Sequence, residues 1–231
     1  MTLHRFYAPI SGGQAHLSQA QVHQIRSVLR LDDGDRIAAF DGSGGEWLAQ
    51  IQGSDAALLE RLSTVVEPAT HLTIYQALIR SRRFEQVLQK GTELGVCRFV
   101  PFVSERTVAA GDHPDRWRAI VIEAAEQCGR RIVPEVSPVL SFDDAVADAT
   151  REGMPYMPWE EATDGPRLSV VHRPAKRMGL IVGPEGGFSE VEAYQARQRG
   201  AMHVSLGPRI LRADTAAIAA ATILLHRNGE L

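Results

Sequence analysis

One stretch near the C-terminal end constrains this chain more than any other. An apolar run, Gly179-Leu180-Ile181-Val182, opens directly into Gly183-Pro184-Glu185-Gly186-Gly187-Phe188 and then into Ser189-Glu190-Val191-Glu192. A short apolar run bounded by turn residues reads as a buried strand, and Ser followed three positions later by Glu marks a capped helix start. Strand, glycine loop and helix in direct succession belong to layered α/β structures, where ligands sit at the carboxyl edge of a parallel sheet. A second junction repeats the pattern: His203 to Leu206 reads as a strand and runs into Gly207-Pro208-Arg209-Ile210-Leu211-Arg212. Glycines let main-chain groups approach a ligand closely, so Gly183, Gly186, Gly187 and Gly207 are predicted to face one another and grip a flat ring such as adenine. A single such loop is better explained as a tight turn, and only the two together make a ligand site an equal reading.

The rest of the chain divides in two. Residues 1 to about 68 carry short alternating runs and turn clusters, the pattern of a small β-rich unit. Arg36–Phe40 and Glu46–Ile51 read as strands. Ser18 is the expected N-cap of a helix that turns Ile25 and Val28 inward, with Leu17 and Val22 as a hydrophobic staple. Pro68, in Val65-Val66-Glu67-Pro68-Ala69-Thr70, marks a linker, which sets the predicted boundary between residues 1–70 and 71–231. Beyond it strands and helices alternate. Leu72–Ile79 is a strand, Ser81–Leu94 a helix stopped at Gly95, Val96–Val103 a strand, Asp112–Cys128 a helix, and a short helix begins at Ser141. Thr215–His226 is a helix that is apolar on nearly every side and must be buried in a core or against a second subunit.

Composition removes several classes. A net charge of −3 argues against a strongly basic nucleic-acid binder, so any RNA contact must be a local patch. Cys97 and Cys128 lie far apart with no zinc spacing, which points to neither a disulfide framework nor a metal and fits a reducing cytoplasm. The sequence shows no membrane span and no signal-peptide core in Met1-Thr2-Leu3-His4-Arg5. No P-loop, no GxGxxG between a first strand and helix, and no HExxH or GxSxG motif occurs. Local charge does cluster: His23, Arg26 and Arg30 fall on one helical face, and Arg80, Arg82 and Arg83 sit at a strand–helix corner. Both groups are candidate RNA contacts, and a solvated charged face explains either group equally well.

The two glycine junctions closely resemble the paired cofactor loops of the RsmE family, ribosomal small-subunit RNA methyltransferases that act on uridine N3 within the SPOUT superfamily. The resemblance covers nearly the whole chain. Gln89-Lys90-Gly91-Thr92-Glu93-Leu94-Gly95-Val96 is similar to a QKxxELGV segment, and Ser104-Glu105-Arg106 to an SER turn. Glu126-Gln127-Cys128-Gly129-Arg130 and Val133-Pro134-Glu135 match EQCGR and VPE runs. Val28-Leu29-Arg30-Leu31 and Gly34-Asp35 resemble its VLRL and GD pattern in a PUA-like RNA-binding barrel. Where the family reads RTETA, this chain has Arg212-Ala213-Asp214-Thr215-Ala216, and Met157-Pro158-Trp159-Glu160-Glu161 matches the first knot loop only loosely.

The resemblance implies a trefoil-knotted α/β domain behind the small N-terminal barrel. It implies a homodimer, S-adenosyl-L-methionine as methyl donor, and small-subunit RNA or the 30S particle as partner, with no membrane and no metal. The donor is expected against Met157, Trp159, Val182, Gly183, Pro184, Glu185, Gly186, Gly187, Ser205, Leu206, Gly207, Ile210, Leu211 and Arg212. Losing the N3 proton of uracil leaves negative charge on the base, so a nearby cation helps, and Arg212 is the first choice. Glu126, Glu185 and Asp214 are candidate proton acceptors. A knotted methyltransferase of another RNA, or an RNA-binding assembly factor without chemistry, remain the alternatives.

Overall fold

The structure is a computed structural model that describes residues 3–63, 66–108, 111–161, 165–171 and 173–231. Met1, Thr2 and Val65, used above for the chain start and the linker, lie outside the described residues. The chain falls into two compact units, one made of Met1–Glu67 with Ile122–Val133 and the other of Pro68–Val121 with Pro134–Leu231.

In the first unit β1 (Arg5–Tyr7), β2 (Ile10–Ser11), β3 (Gln14–His16), β4 (Arg36–Phe40), β5 (Glu46–Gln52) and β6 (Asp55–Arg61) form one mixed sheet in the order β1-β4-β5-β6-β3-β2. Only β1 and β4 run parallel; the other pairs are antiparallel. Phe6, Ala15, Ile37, Ala49 and Ile51 supply the buried face. Helix α1 (Gln19–His23) starts at Ser18, whose hydroxyl accepts from the Gln21 N–H while the Gln21 side chain accepts from the Ser18 N–H. The helix then widens into a π-helical turn over Gln24–Val28. The extra residue in that turn rotates the positions after it, so Ile25 enters the core but Val28, expected inward, is 68% exposed. Just beyond the turn, after its C-cap Leu29, Arg30 has a left-handed φ of 57°.

Residues 122–133, which the sequence reading assigned to the second domain, belong to this unit because buried charges tie them to it. The Glu67 carboxylate accepts from the main-chain N–H groups of Arg131 (2.7 Å) and Ile132 (3.0 Å) and from Arg130 Nε (3.0 Å). Glu46, buried, takes Arg131 Nε at 3.0 Å and also pairs with Arg5. A buried ion pair of this kind is costly to break, because the remaining charge has no water.

The second unit is built on a parallel sheet. It contains β7 (His71–Ala77), α2 (Ser81–Leu94), β8 (Arg98–Val103), the start of α3 (Pro114–Cys128), β9 (Glu135–Val136), β10 (Leu140–Ser141), α4 (Phe142–Glu152), β11 (Met154–Pro158), α5 (Leu168–Val171), β12 (Arg177–Val182), α6 (Glu190–Gln198), β13 (Met202–Val204) and α7 (Ala213–Arg227). The strands run in the order β10-β8-β7-β12-β11-β13, with β9 also on β8, and every pairing is parallel. Helix α2 buries Phe84, Val87 and Leu88, the face its periodicity predicts, and ends at Gly95. Phe84 meets Trp117 of α3 with ring centroids 4.8 Å apart. On α7 the residues Ala217, Ala220, Ala221, Leu224 and Leu225 are buried, and Ile218, Ala219 and Ile223 are half-buried. Among the described residues no helix is long and apolar enough to cross a membrane, and no group of three or more His, Cys, Asp or Glu is placed to hold a metal.

Two histidines of this unit carry a pH dependence. Burial holds His71 and His203 below the ordinary value of 6.5, with Arg177 and Arg197 respectively adding to the effect. A depressed histidine binds its proton in the unfolded chain first, so stability is present above 6.5 and is lost as pH falls. The melting temperature of the chain is therefore expected to drop between about pH 7.5 and about pH 5.5, and the His71→Gln, His203→Gln double variant to show a shallower drop. An identical slope in the variant, measured by calorimetry, removes these two groups as its source.

Candidate functional site

Three neighbouring strands, β12, β11 and β13, end at one edge of the parallel sheet, and the three loops that leave them surround a cavity of about 670 Å³. The two glycine loops, predicted to face one another, would be simplest on adjacent strands. Their strands are not adjacent, since β11 lies between them and its own loop supplies a third wall through Pro158, Trp159 and Glu160. Sequence reading did not find β11 because Pro155 and Pro158, in Met154-Pro155-Tyr156-Met157-Pro158, argue against an internal strand.

The first loop contributes Val182, Gly183, Pro184, Glu185, Gly187 and Phe188 to the cavity wall. It is a tight turn closed by the Gly187 N–H on the Pro184 carbonyl at 3.0 Å. Gly187 has φ of 68°, a left-handed backbone form that favours glycine, and it lies against the Glu160 side chain. Phe188 anchors the loop end in the core, its ring parallel to Phe102 at 6.4 Å and tilted against Phe142 at 5.9 Å. From beneath, the fully buried Gln76 side-chain amide donates to the carbonyls of Ala77 (3.0 Å) and Gly183 (3.2 Å).

The second loop contributes Ser205, Leu206, Gly207, Pro208, Arg209, Ile210, Leu211 and Arg212. Its start is fixed by the Ser205 N–H on the Pro166 carbonyl at 3.0 Å and by the Gly207 N–H on Ser205 Oγ at 3.2 Å. Ile210 is 89% exposed, a large apolar side chain held at the cavity instead of in the core. Arg212 is the N-cap residue of α7 and is exposed, and among the described residues it makes no ion pair; Ala213 and Ala216 of the same helix also line the cavity. The next acidic residue, Asp214, keeps a buried Oδ1 with no hydrogen-bond partner among the described residues.

Of the expected cofactor residues, Met157 and Gly186 do not reach the cavity wall. Met157 is fully buried in the core cluster that contains Tyr75 and Phe188, and Trp159, just past the end of β11, packs half-buried against the same cluster and lines the cavity. Trp159 Nε1 is buried without a hydrogen-bond partner among the described residues, and its ring meets His203 edge-on at 5.1 Å. Glu126 belongs to the first unit, where burial raises its pKa and its carboxylate accepts the Tyr7 N–H at 2.7 Å. Glu185 lines the cavity but is engaged, accepting from the Arg80 N–H at 3.3 Å and from Arg83 Nη1 at 3.4 Å.

The basic residues split in a way their spacing did not reveal. Arg83 is a cavity residue paired with Glu185, and Arg26 is bound to Asp33 and to the Leu31 carbonyl at 3.0 Å. His23, Arg30, Arg80 and Arg82 are exposed, and Arg82 makes no ion pair among the described residues. Arg167 and Arg209, which the sequence reading passed over, add further guanidinium groups to the cavity wall. Their signal was weak because neither sits in a periodic face or a recognisable run.

A family described as an RNA methyltransferase domain matches residues 66–225, and an RNA methyltransferase PUA domain matches residues 17–60. The chain is 37% identical over 216 residues to the ribosomal RNA small subunit methyltransferase E of Synechocystis sp., covering 87% of this chain and 69% of that protein. It is 30% identical to the enzyme of the same name from Bacillus subtilis, covering 90% of this chain and 88% of the relative. The crystal structure of a ribosomal RNA small subunit methyltransferase E from Neisseria gonorrhoeae bound to S-adenosyl methionine superposes with a TM-score of 0.89 at 31% identity over 98% of both chains. A methyltransferase structure from Legionella pneumophila, also with bound S-adenosyl methionine, gives a TM-score of 0.89 at 29% identity over 98% of both chains. Matched by the methyltransferase domain over most of its length, and aligned with these relatives across both units, the chain belongs to the family of the ribosomal RNA small subunit methyltransferases E.

Proposed function

We propose that this chain methylates N3 of a uridine in small-subunit (16S) ribosomal RNA, with S-adenosylmethionine as methyl donor. The observation that carries the reading is the single cavity wall formed by two glycine loops and the Trp159 loop, with the exposed guanidinium of Arg212 at its edge. At about 670 Å³ the cavity lies within the roughly 300–1,000 Å³ typical of small-molecule sites. Its residues also suit this donor: main chain of Gly183, Gly187 and Gly207 for the edge of a base, apolar Leu206 and Ile210 for its faces, and the unpartnered Trp159 Nε1–H as a further donor. When bound, S-adenosylmethionine supplies a methyl group that is already electrophilic. What remains for the protein is alignment of the uracil nitrogen with that methyl and exclusion of water.

On this reading Arg212, exposed at the cavity and without an ion pair among the described residues, meets the negative charge that develops on the uracil carbonyls as N3 loses its proton. Of the three carboxylates considered, Glu126 and Glu185 already accept main-chain hydrogen bonds, whereas Asp214 Oδ1 has no partner among the described residues. We infer that Asp214, which follows the cavity-lining Ala213 but is not itself part of the wall, receives the proton. The same reading includes a knotted path through the three loops and a homodimer that covers the half-buried Ile218, Ala219 and Ile223 of α7. Its place of action is the cytoplasm, where ribosomal subunits are its substrate. RNA phosphates are held by His23, Arg30, Arg80 and Arg82.

Calorimetric titration with S-adenosylmethionine and mass spectrometry of nucleosides from treated small-subunit RNA test the reading together. Saturable binding and 3-methyluridine are expected; absence of binding, or a methyl on ribose or on another base, overturns it. Arg212→Ala should lower kcat by about 10²–10³-fold in single-turnover assays while S-adenosylmethionine still binds. Arg82→Ala should reduce the salt slope of RNA binding by about 1, whereas Arg26→Ala, whose guanidinium is engaged with Asp33, should leave that slope unchanged.

A further inference from the structure

The Ser104-Glu105-Arg106 motif has no part in the cavity wall, yet it is joined to the first glycine loop at two points. Directly after β8 the chain makes a turn over residues 104–107, closed by the Thr107 N–H on the Ser104 carbonyl at 3.0 Å and by the Ser104 N–H on Thr107 Oγ1 at 2.9 Å. From this turn Arg106 Nη1 donates to the Gly186 carbonyl at 3.0 Å. A Cβ at Gly186 would lie 3.2 Å from Arg106 Cβ, so the loop backbone rests directly against the arginine. That contact explains why Gly186, alone among residues 182–188, turns away from the cavity.

The second point is Glu192, a carboxylate only 6% exposed. Its Oε2 accepts the N–H of Ser189, where the loop enters α6, at 3.0 Å, and its Oε1 accepts the N–H of Glu105 at 2.8 Å. A capping-box glutamate needs only the first of these bonds. The second joins the helix cap to the turn after β8, so one side chain fixes the end of the glycine loop to a neighbouring part of the sheet edge.

We propose that Arg106 and Glu192 are positioning residues that hold the Gly183–Phe188 loop in its ligand-binding form from behind, without touching the ligand. Their bonds restrain the loop at its middle and at its end, leaving Gly183, Pro184, Glu185 and Gly187 to face the cavity in a fixed arrangement. A loop that must order itself on binding loses affinity to that ordering, and a loop already ordered does not. The inference rests on the cofactor reading above.

The test compares the wild-type chain with Arg106→Ala, Arg106→Lys and Glu192→Gln in calorimetric titration with S-adenosylmethionine, steady-state kinetics on small-subunit RNA and thermal melting. Arg106→Ala is expected to bind the cofactor about tenfold more weakly and to raise its KM in step, with kcat within about twofold and the melting temperature nearly unchanged. Arg106→Lys, which keeps a donor for the Gly186 carbonyl, is expected to recover most of the affinity. Glu192→Gln, which retains only one acceptor oxygen for two N–H groups, is expected to resemble Arg106→Ala. Unchanged cofactor affinity in Arg106→Ala, beside a wild-type chain that binds, overturns this inference alone. So does a loss of affinity matched by a general fall in melting temperature, or an effect confined to the salt slope of RNA binding, which makes Arg106 a phosphate contact. A wild-type chain that binds no S-adenosylmethionine overturns the functional reading itself.

Discussion

Three parallel neighbours, β12, β11 and β13, reach the same sheet edge, and each must leave it with no further strand to take its main-chain groups. Buried N–H and C=O groups without partners are costly, so the loops satisfy them locally. Gly187 donates to Pro184, Ser205 to Pro166, and the Gln76 amide to the Gly183 carbonyl. Loops held in this way cannot collapse onto one another, and the space left between them is the cavity. The site is thus a consequence of how a parallel sheet ends, anchored by Phe188, whose ring packs with Phe102 and Phe142 in a three-ring cluster in the core beneath.

The charge distribution obeys a similar division between structure and surface. Within a net charge of −3, several arginines are given over to carboxylate partners inside the fold. Arg5 and Arg131 are paired with Glu46 and Arg130 with Glu67, while Arg26 is paired with Asp33 and Arg83 with Glu185. Those pairs fix the first unit around residues 122–133 and the Glu185 side of the cavity. Arg30, Arg80, Arg82 and Arg212 are among the arginines that remain exposed. The left-handed backbone at Arg30, just beyond the π-helical turn, shows that one of these positions is set by a backbone form that side chains seldom adopt.

Packing on α7 connects the cavity to the core. The helix begins at Arg212 beside the second glycine loop, buries Ala217, Ala220, Ala221 and Leu224, and ends where Asn228 donates to Thr70 Oγ1 and to the Ala175 carbonyl, each at 2.7 Å. The small residues let the helix lie close to its neighbours, which keeps its N-terminal end, and with it Arg212, in a defined place.

Much of this was legible in the residues themselves, wherever the deciding physics is local. The strand–loop–helix succession around Gly183, the N-cap at Ser18, the capping box at Ser189, and the apolar face of α2 depend on neighbours within a few positions, and the structure contains each of them. The glycine loops pointed to a site at the sheet edge, and a cavity lies there. What local patterns could not decide was every question settled by distant partners. Proline content hid β11, whose strand form is imposed by β12 and β13 on either side. Helical periodicity turned Val28 inward until the π-helical turn shifted it out. Identical arginines were sorted into buried pair, cavity wall and free surface only by the carboxylate each one meets in space. Sequence therefore determined the elements and the chemistry of the loops, and tertiary structure decided which side chains share the cavity, because hydrogen bonds and ion pairs between remote segments leave no periodic trace in the chain.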